Sequence, residues 1–156
     1  MTAYKNLQVD IASKIAKGQA SVISVFATDS PQENDFAYTV GLTSLGLPEI
    51  IIVGSMDPLI QHVLIGSLTA KYKERGAFFG VSNELLQNGL RVDLVEVDCT
   101  APKTKEFIVQ ALDYYGSDVG KVRLVQIRWP DAQGRLPDEP GFDMGDKQDL
   151  LPRLNH

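Results

Sequence analysis

The fold is decided by residues 36–53, which comprise Phe36-Ala-Tyr-Thr-Val-Gly-Leu42, a turn around Gly46-Leu-Pro48, and Glu49-Ile-Ile-Ile-Val53. Alternating large side chains in the first run predict a strand, although Gly41 interrupts it and indicates a bulge or a close backbone approach. The second run is apolar throughout, which is typical of a central strand covered on both faces. Strands joined by so short a turn must be antiparallel, because a parallel crossover needs about a dozen residues or more.

Patterns on either side of this stretch predict the remaining elements. They are helices over residues 4–17, from Pro58 to near Gly76 and over residues 104–116, and strands over residues 21–28, 78–81, 91–98 and 122–129. Asp57 is suited to cap the middle helix. The residues of that helix predicted to face inward are Leu59, Val63, Leu64, Leu68 and Tyr72.

The order of these elements, helix, three strands, helix, two strands, helix and strand, predicts an α+β fold. We expect an antiparallel or mixed sheet with helices packed on it, and a sheet curled into a barrel is an open alternative. A chain of 156 residues without a long linker has the size of one domain. We therefore predict a single domain over residues 1–156, with a C-terminal tail over residues 144–156 that loosens towards His156.

The composition of the chain limits the classes of partner and the cellular compartments that fit it. The chain carries 15 basic and 20 acidic residues, and its net charge of −5 argues against nucleic acid and favours a basic partner. Its one cysteine, Cys99, fits a reducing compartment, and its first ten residues lack the apolar segment of a signal peptide. The apolar run at residues 50–53 is far shorter than the roughly 20 residues that cross a membrane. We predict a soluble, cytoplasmic protein that binds no membrane and no metal.

Four stretches together resemble one known family. They are Phe36-Ala-Tyr-Thr-Val-Gly-Leu-Thr43, Leu47-Pro-Glu-Ile-Ile-Ile-Val-Gly54, Leu124-Val-Gln-Ile-Arg-Trp-Pro-Asp131 and Gly134-Arg-Leu-Pro-Asp-Glu-Pro-Gly141. In this order they are similar to the bacterial and phage proteins grouped as DUF4262, a domain of unknown function, over about residues 22–143. Leu47 and Asp138 stand where many members carry histidine and tryptophan. If that histidine has a chemical role in the family, the resemblance implies that this chain lacks that role.

The order of short strands and helices is also similar to that of the split barrels that bind flavin mononucleotide (FMN). No residue motif carries this second resemblance, and a fold does not establish a function. It implies FMN as a cofactor, whereas the residues themselves indicate none. FMN binding therefore stays an alternative.

Seven residues are candidates for a ligand site: Tyr38, Thr39, Gly41, Glu49, Gln126, Trp129 and Asp131. Gly41 beside a hydroxyl group would admit a flat ligand or a phosphate to the backbone, but a core Tyr38 next to a bulge is the commoner arrangement. Glu49 heads an apolar strand and would serve as an acid or base if it were buried. We favour an exposed carboxylate, or one paired with arginine, because glutamate is rarely buried alone.

The last three candidates lie on or just after the final predicted strand. Gln126 shares a face with Arg128, and its amide, if buried, must be satisfied by a ligand or by backbone groups. Trp129 is suited to stack on an aromatic ligand or to plug the core, and Asp131 to bond its own backbone in a turn. We favour the structural role for all three, because buried polar groups are generally satisfied within the protein.

These residues form no recognisable catalytic grouping, so whether the chain is an enzyme is left open. We expect a non-catalytic binding or protein-interaction module whose partner is a protein or a small molecule, with a homodimer as one option. The alternatives are an FMN-binding protein, a hydrolase or transferase that uses Glu49 or Asp131, and a phage-type protein that interferes with a host protein.

Overall fold

The computed structural model of the protein describes residues 3–30, 32–143 and 147–154. Its helices are α1 (Ala3–Ala16), α2 (Pro58–Arg75), α3 (Pro102–Lys105) and α4 (Val109–Tyr115). Its strands are β1 (Ser21–Val25), β2 (Phe36–Val40), β3 (Glu49–Val53), β4 (Gly80–Ser82), β5 (Val92–Val97) and β6 (Leu124–Arg128). Short 3-10 helices span Ala27–Asp29, Leu42–Leu45 and Gly116–Lys121. The α+β class is confirmed.

The strands form one mixed sheet in the order β1-β2-β3-β6-β5-β4. β1, β2 and β3 are antiparallel neighbours, as their short turns predict, whereas β6 lies parallel to β3 because a long crossover separates them in the chain. The sheet ends at β1 on one side and β4 on the other and is not closed. The barrel alternative is therefore wrong, and the likeness to split barrels has no counterpart in this architecture.

An apolar core lies on each face of the sheet, and β3 contributes to both. Ile51 and Val53 belong to the core beneath α1 and α4, and Ile50 and Ile52 to the core beneath α2. All residues of β3 are buried, as the continuous apolar run predicts. Burying each isoleucine contributes about 1.5–3 kcal/mol, so β3 anchors the fold from its centre.

Two helix predictions are wrong in part. Leu59 and Val63 are 70% and 46% exposed. The buried stripe of α2 instead runs through Gln61, Leu64, Ile65, Leu68 and Tyr72, which places Leu59 and Val63 on the opposite side of the helix.

The helix predicted over residues 104–116 is broken into α3 and α4. Phe107 and Ile108 lie in the break and are both 2% exposed. Phe107 packs edge-on against Phe36 with the ring centres 4.8 Å apart. The break allows both side chains to enter the core. None of the described helices is long and apolar enough to cross a membrane.

The C-terminal tail also differs from its prediction. Over residues 147–154 it packs on the sheet: Leu151 is fully buried, and Arg153 forms an antiparallel bridge with Val97. The backbone N–H of Leu154 donates to the Glu96 carbonyl across 3.0 Å. The tail is held because the sheet face beneath it carries buried polar groups that need its backbone. His156 lies outside the described residues.

Candidate functional site

Three of the candidate residues, Thr39, Gly41 and Glu49, meet where β2 ends and β3 begins. β2 stops at Val40, and Gly41 turns the chain with a φ of 132°. A Cβ at this position would also lie 3.0 Å from Ala20 Cα. The expected close backbone approach is thus confirmed, and the position requires glycine. The turn aims the next backbone N–H groups at the start of β3.

The Glu49 carboxylate, 1% exposed, accepts hydrogen bonds from three hydroxyls and three backbone amides. The donors are Thr39 Oγ1 at 2.7 Å, Thr43 Oγ1 at 2.6 Å, Tyr115 OH at 2.6 Å, and the N–H groups of Gly41 at 3.2 Å, Leu42 at 3.2 Å and Thr43 at 2.8 Å. The expectation of an exposed or arginine-paired carboxylate is wrong, because this ring of donors replaces both water and a cation. A carboxylate has about four lone-pair sites, so these donors saturate it. We call Glu49 and its donors the Glu49 clamp.

Tyr115 completes the clamp from α4, far away in the sequence. Its hydroxyl accepts from the Gly41 N–H at 2.9 Å while it donates to Glu49. Burial, and then the charge of Glu49, raise the pKa of Tyr115 above its ordinary value. The sequence marked this tyrosine only as a helix end, since no local pattern pairs two residues so far apart.

A cavity of about 290 Å³ adjoins the clamp. Its lining residues are Ile15, Thr43, Ser44, Tyr114, Tyr115, Asp118 and Lys121. The two tyrosine rings meet edge to face, 5.2 Å apart. The hydroxyls of Thr43 and Tyr115 both donate to Glu49. Their hydrogens are therefore not available to a ligand in this cavity.

Tyr38 lies apart from the clamp. It is 1% exposed, and its ring stacks on Phe36 with the centres 6.2 Å apart. Its hydroxyl accepts from the Gln110 N–H at 2.9 Å, and burial raises its pKa above the ordinary value. Tyr38 is a core aromatic that also fixes the start of α4.

Gln126 holds the C-terminal tail. As predicted, it shares a face of β6 with Arg128, and its Oε1 accepts from Arg128 Nε at 3.3 Å. Its Nε2 donates to the Asp149 carbonyl at 2.6 Å, and its Oε1 also accepts from the Leu151 N–H at 3.0 Å. Arg128, 4% exposed, donates from Nη2 to the Leu151 carbonyl at 2.8 Å, and burial lowers its pKa. The buried amide is satisfied by backbone groups.

Trp129 fills space beside β3. Its Nε1 donates to the Val53 carbonyl at 3.0 Å. A Cβ on Gly54 would lie 2.3 Å from the indole, so this close approach requires glycine. The Gln148 amide brackets the Trp129 backbone, accepting from its N–H at 2.9 Å and donating to its carbonyl at 3.0 Å. Trp129 plugs the core against the tail.

Asp131 organises the turn that follows. Its Oδ1 accepts from the N–H groups of Gln133 and Arg135 at 2.9 Å, and its Oδ2 from Arg135 Nε at 2.9 Å and the Asp143 N–H at 3.3 Å. Burial alone would raise the pKa of Asp131, but these hydrogen bonds outweigh it and lower the pKa. The carboxylate bonds its own turn, as the sequence predicts.

A groove of about 400 Å³ lies beside β1, on the α2 face of the sheet. One wall is a flank of α2 with His62, Ile65, Gly66, Thr69 and Lys73, and the other wall and floor are formed by Lys14, Gln19, Ala20, Val22 and Thr39. We call it the basic groove, because no carboxylate is among these residues. A Cβ on Gly66 would meet nothing within 4 Å, so this wall is open to an occupant.

The basic side chains of the groove differ in their partners. Lys14 Nζ lies 3.6 Å from Asp10 Oδ2 at the surface, and His62 Nε2 lies 2.7 Å from Ser24 Oγ. Lys73 has no ion pair within the part of the chain that the structure describes. Sequence analysis missed this groove, although the spacing of residues 62, 66, 69 and 73 marks one helix flank.

A second cavity of about 450 Å³ adjoins the basic groove and shares Lys73 with it. Its other lining residues are Gly18, Leu45, Leu47, Tyr72 and Gly76. Leu47 thus lies beside the basic groove. The basic groove and this second cavity together follow α2 from its first turns to its end.

The family model described as "Domain of unknown function (DUF4262)" matches residues 14–143. The chain belongs to the DUF4262 family. The matched region begins at Lys14 and ends at Asp143, so it contains the Glu49 clamp and the lining residues of the basic groove. The tail over residues 147–154 lies outside it. No curated protein sequence and no solved structure matches the chain.

The polar centres of this DUF4262 protein differ in what they can still bind. The carboxylates of Glu49 and Asp131 accept hydrogen bonds from the chain itself, and Gln126 is occupied by the tail. In the described ranges, no three side chains of histidine, cysteine, aspartate or glutamate are grouped to hold a metal ion. In the basic groove, Lys73 is exposed and has no ion pair among the described residues.

Proposed function

We propose that this DUF4262 protein is a binding module without chemistry of its own, which takes a carboxylate or phosphate group of its partner into the basic groove. The observation that carries the proposal is the convergence of Lys14, His62 and Lys73 on one groove that no carboxylate lines. An anion placed there would receive charge-assisted hydrogen bonds, the stronger kind in proteins. Although Asp10 pairs with Lys14 at the surface, the lining of the groove itself is basic in a chain whose net charge is −5.

The strengths of these contacts set the expected affinity. A hydrogen bond to a charged group contributes about 1.5–3 kcal/mol when water is excluded, whereas an exposed ion pair contributes about 0–1 kcal/mol. The groove is open, so its lysines belong nearer the lower range. Three such contacts together contribute about 3 kcal/mol at most, so a small anion should bind with a dissociation constant of roughly 5 mM or higher. Tighter binding requires contacts outside the groove.

Nuclear magnetic resonance titration tests the proposal with succinate and inorganic phosphate as probes. We expect chemical-shift changes centred on the amides of Gly66 and Thr69, and a dissociation constant at least fivefold higher in Lys73→Gln. The matched control is Lys71→Gln, which removes a lysine from the opposite flank of the same helix and should leave binding unchanged. Shift changes elsewhere, or equal affinity in Lys73→Gln, would overturn the proposal.

Two further probes separate the alternatives. FMN carries a phosphate, so on our proposal it binds no more than about tenfold tighter than inorganic phosphate and loses affinity in Lys73→Gln. Tight quenching of FMN fluorescence that survives this substitution would favour the flavin alternative instead. A single-stranded 12-nucleotide DNA that binds far better than phosphate would point to nucleic acid.

We also propose that this binding takes place in the cytoplasm of a bacterial host, where a phage-type member would occupy a host protein. The single unpaired Cys99 supports a reducing compartment. Cell fractionation tests the location, and recovery of the protein outside the cytoplasm would contradict it.

A further inference from the structure

The basic groove runs along an open edge of the sheet. β1 pairs with β2 on one side and with no other described strand. Its sequence, Ser21-Val-Ile-Ser-Val25, contains no charge and no proline, which are two common devices that keep an edge strand from pairing. The opposite edge is blunted, because β4 has only three residues and the tail pairs with Val97 beyond it. β1 is the edge best suited to accept another strand.

Side chains of β1 join this edge to the groove. Val22 lines the groove, and Ser24 contacts His62 in its α2 wall. Ile23, between them, is buried in the core on the other face. Because Val22 and Ser24 lie on one face of β1, one lining the groove and the other bonded to its His62, the groove lies beside the strand. A strand added outside β1, about 4.8 Å away, would present alternate side chains to the groove.

We propose that β1 accepts an extended segment of a partner protein as an added strand, with acidic side chains at alternate positions facing the basic groove. The inference rests on the proposed function, since Lys14, His62 and Lys73 are again the donors. Backbone hydrogen bonds to β1 would supply affinity, and the groove would select aspartate or glutamate. The side chains between the acidic ones would lie on the Ile23 face and are expected to be apolar.

Charge decides between this partner and a second copy of the chain. Two copies paired through β1 would bring two basic grooves together, and β1 itself carries no acidic residue to meet the opposing lysines. Like charges placed close together disfavour such a dimer. An acidic segment, in contrast, neutralises the groove while it pairs with the edge.

The probes are four capped peptides studied with the full-length protein. The first is Thr-Val-Glu-Val-Glu-Val-Thr, and the second has lysine in place of both glutamates. The third and fourth are the first peptide N-methylated at alternate residues, one at the odd positions and the other at the even positions. N-methylation removes backbone donors without changing the side chains. We expect the glutamate peptide to bind and to shift the β1 amides, with contacts between its backbone protons and those of β1.

The expected losses are specific. Affinity should fall at least tenfold for one of the two N-methylated peptides, and the lysine peptide should not bind detectably. For the glutamate peptide, affinity should fall at least fivefold in Lys73→Gln and stay unchanged in Lys71→Gln. Equal binding of both N-methylated peptides would overturn strand addition and leave the anion-binding proposal standing. So would failure of the glutamate peptide while succinate still binds. Failure of succinate as well would overturn both proposals.

A second copy is tested without peptide. Three results together would assign this edge to self-association and overturn the inference. They are a dimer by light scattering, protection of the β1 amides from hydrogen exchange in that dimer, and a glutamate peptide that binds only when the dimer dissociates. A monomer with fast exchange at β1, which slows when the glutamate peptide binds, is the expected result.

Discussion

At the scale of single residues, the Glu49 clamp shows how a buried carboxylate can serve structure. Its donors come from β2, the following turn and α4, so one side chain fixes three elements. A carboxylate in this setting gains charge-assisted hydrogen bonds in place of the water it loses. A catalytic acid or base must instead face the proton that it transfers, and the donors around Glu49 occupy that position.

Replacing Glu49 with glutamine tests this interpretation. Glu49→Gln keeps the shape but sets an NH₂ group against donors, which leaves buried groups unsatisfied. We expect the free energy of unfolding to fall by about 2–4 kcal/mol, measured by urea denaturation. The control is Glu84→Gln, which breaks an exposed ion pair with Arg75 and should cost about 0–1 kcal/mol. Equal small losses in both variants would contradict the clamp.

At the scale of elements, periodicity predicted most of the fold. The antiparallel order of β1, β2 and β3 followed from turn length, and burial of β3 from its apolar run. The break between α3 and α4 was not predicted because Phe107 and Ile108 also suit the apolar face of one continuous helix, so their spacing does not reveal the break. The exposure of Leu59 was not predicted, because a polar residue, Gln61, occupies the buried stripe of α2.

The site was less predictable than the fold, for a related reason. Thr39, Gly41 and Glu49 were chosen from local oddities of sequence, and the structure brings them together. Tyr115 joins them only through tertiary packing. The basic groove combines Lys14 with Lys73 across two helices, and no pattern within either helix pairs them.

The C-terminal tail contributes more to the core than its sequence predicts. Leu151 lies in the core beneath α1 and α4, so Leu151→Ala should lower the free energy of unfolding by about 2–5 kcal/mol. Leu150→Ala is the matched control, because the neighbouring leucine is only half-buried and belongs to neither core. Its loss should be clearly smaller, about 1 kcal/mol or less. Equal stability of wild type and Leu151→Ala would mean that the tail is loose after all.

At the scale of the whole molecule, hydrogen-bonded carboxylates set the response to acid. The pKa of Asp98 is lowered by hydrogen bonds from Thr100, and that of Glu139 by hydrogen bonds from Arg91 and Leu136. The pKa of Asp131 is lowered as well. Such groups stabilise the fold above their ordinary pKa values, and this stability is lost as pH falls through the lower values of the folded state. Asp93 acts in the opposite direction, because burial raises its pKa.

Three lowered pKa values against one raised value predict a free energy of unfolding that declines as the pH falls below about 4. Asp131→Asn should be less stable than wild type at pH 7, and its curve of unfolding free energy against pH should be flatter in acid, since one linked proton is gone. Urea denaturation at pH 7, 5 and 3.5 measures both effects. Asp118→Asn, which removes an exposed carboxylate beside Lys121, controls for the change in net charge. Curves for Asp131→Asn and wild type that stay parallel down to pH 3.5 would show that the hydrogen bonds to Asp131 do not depend on its charge.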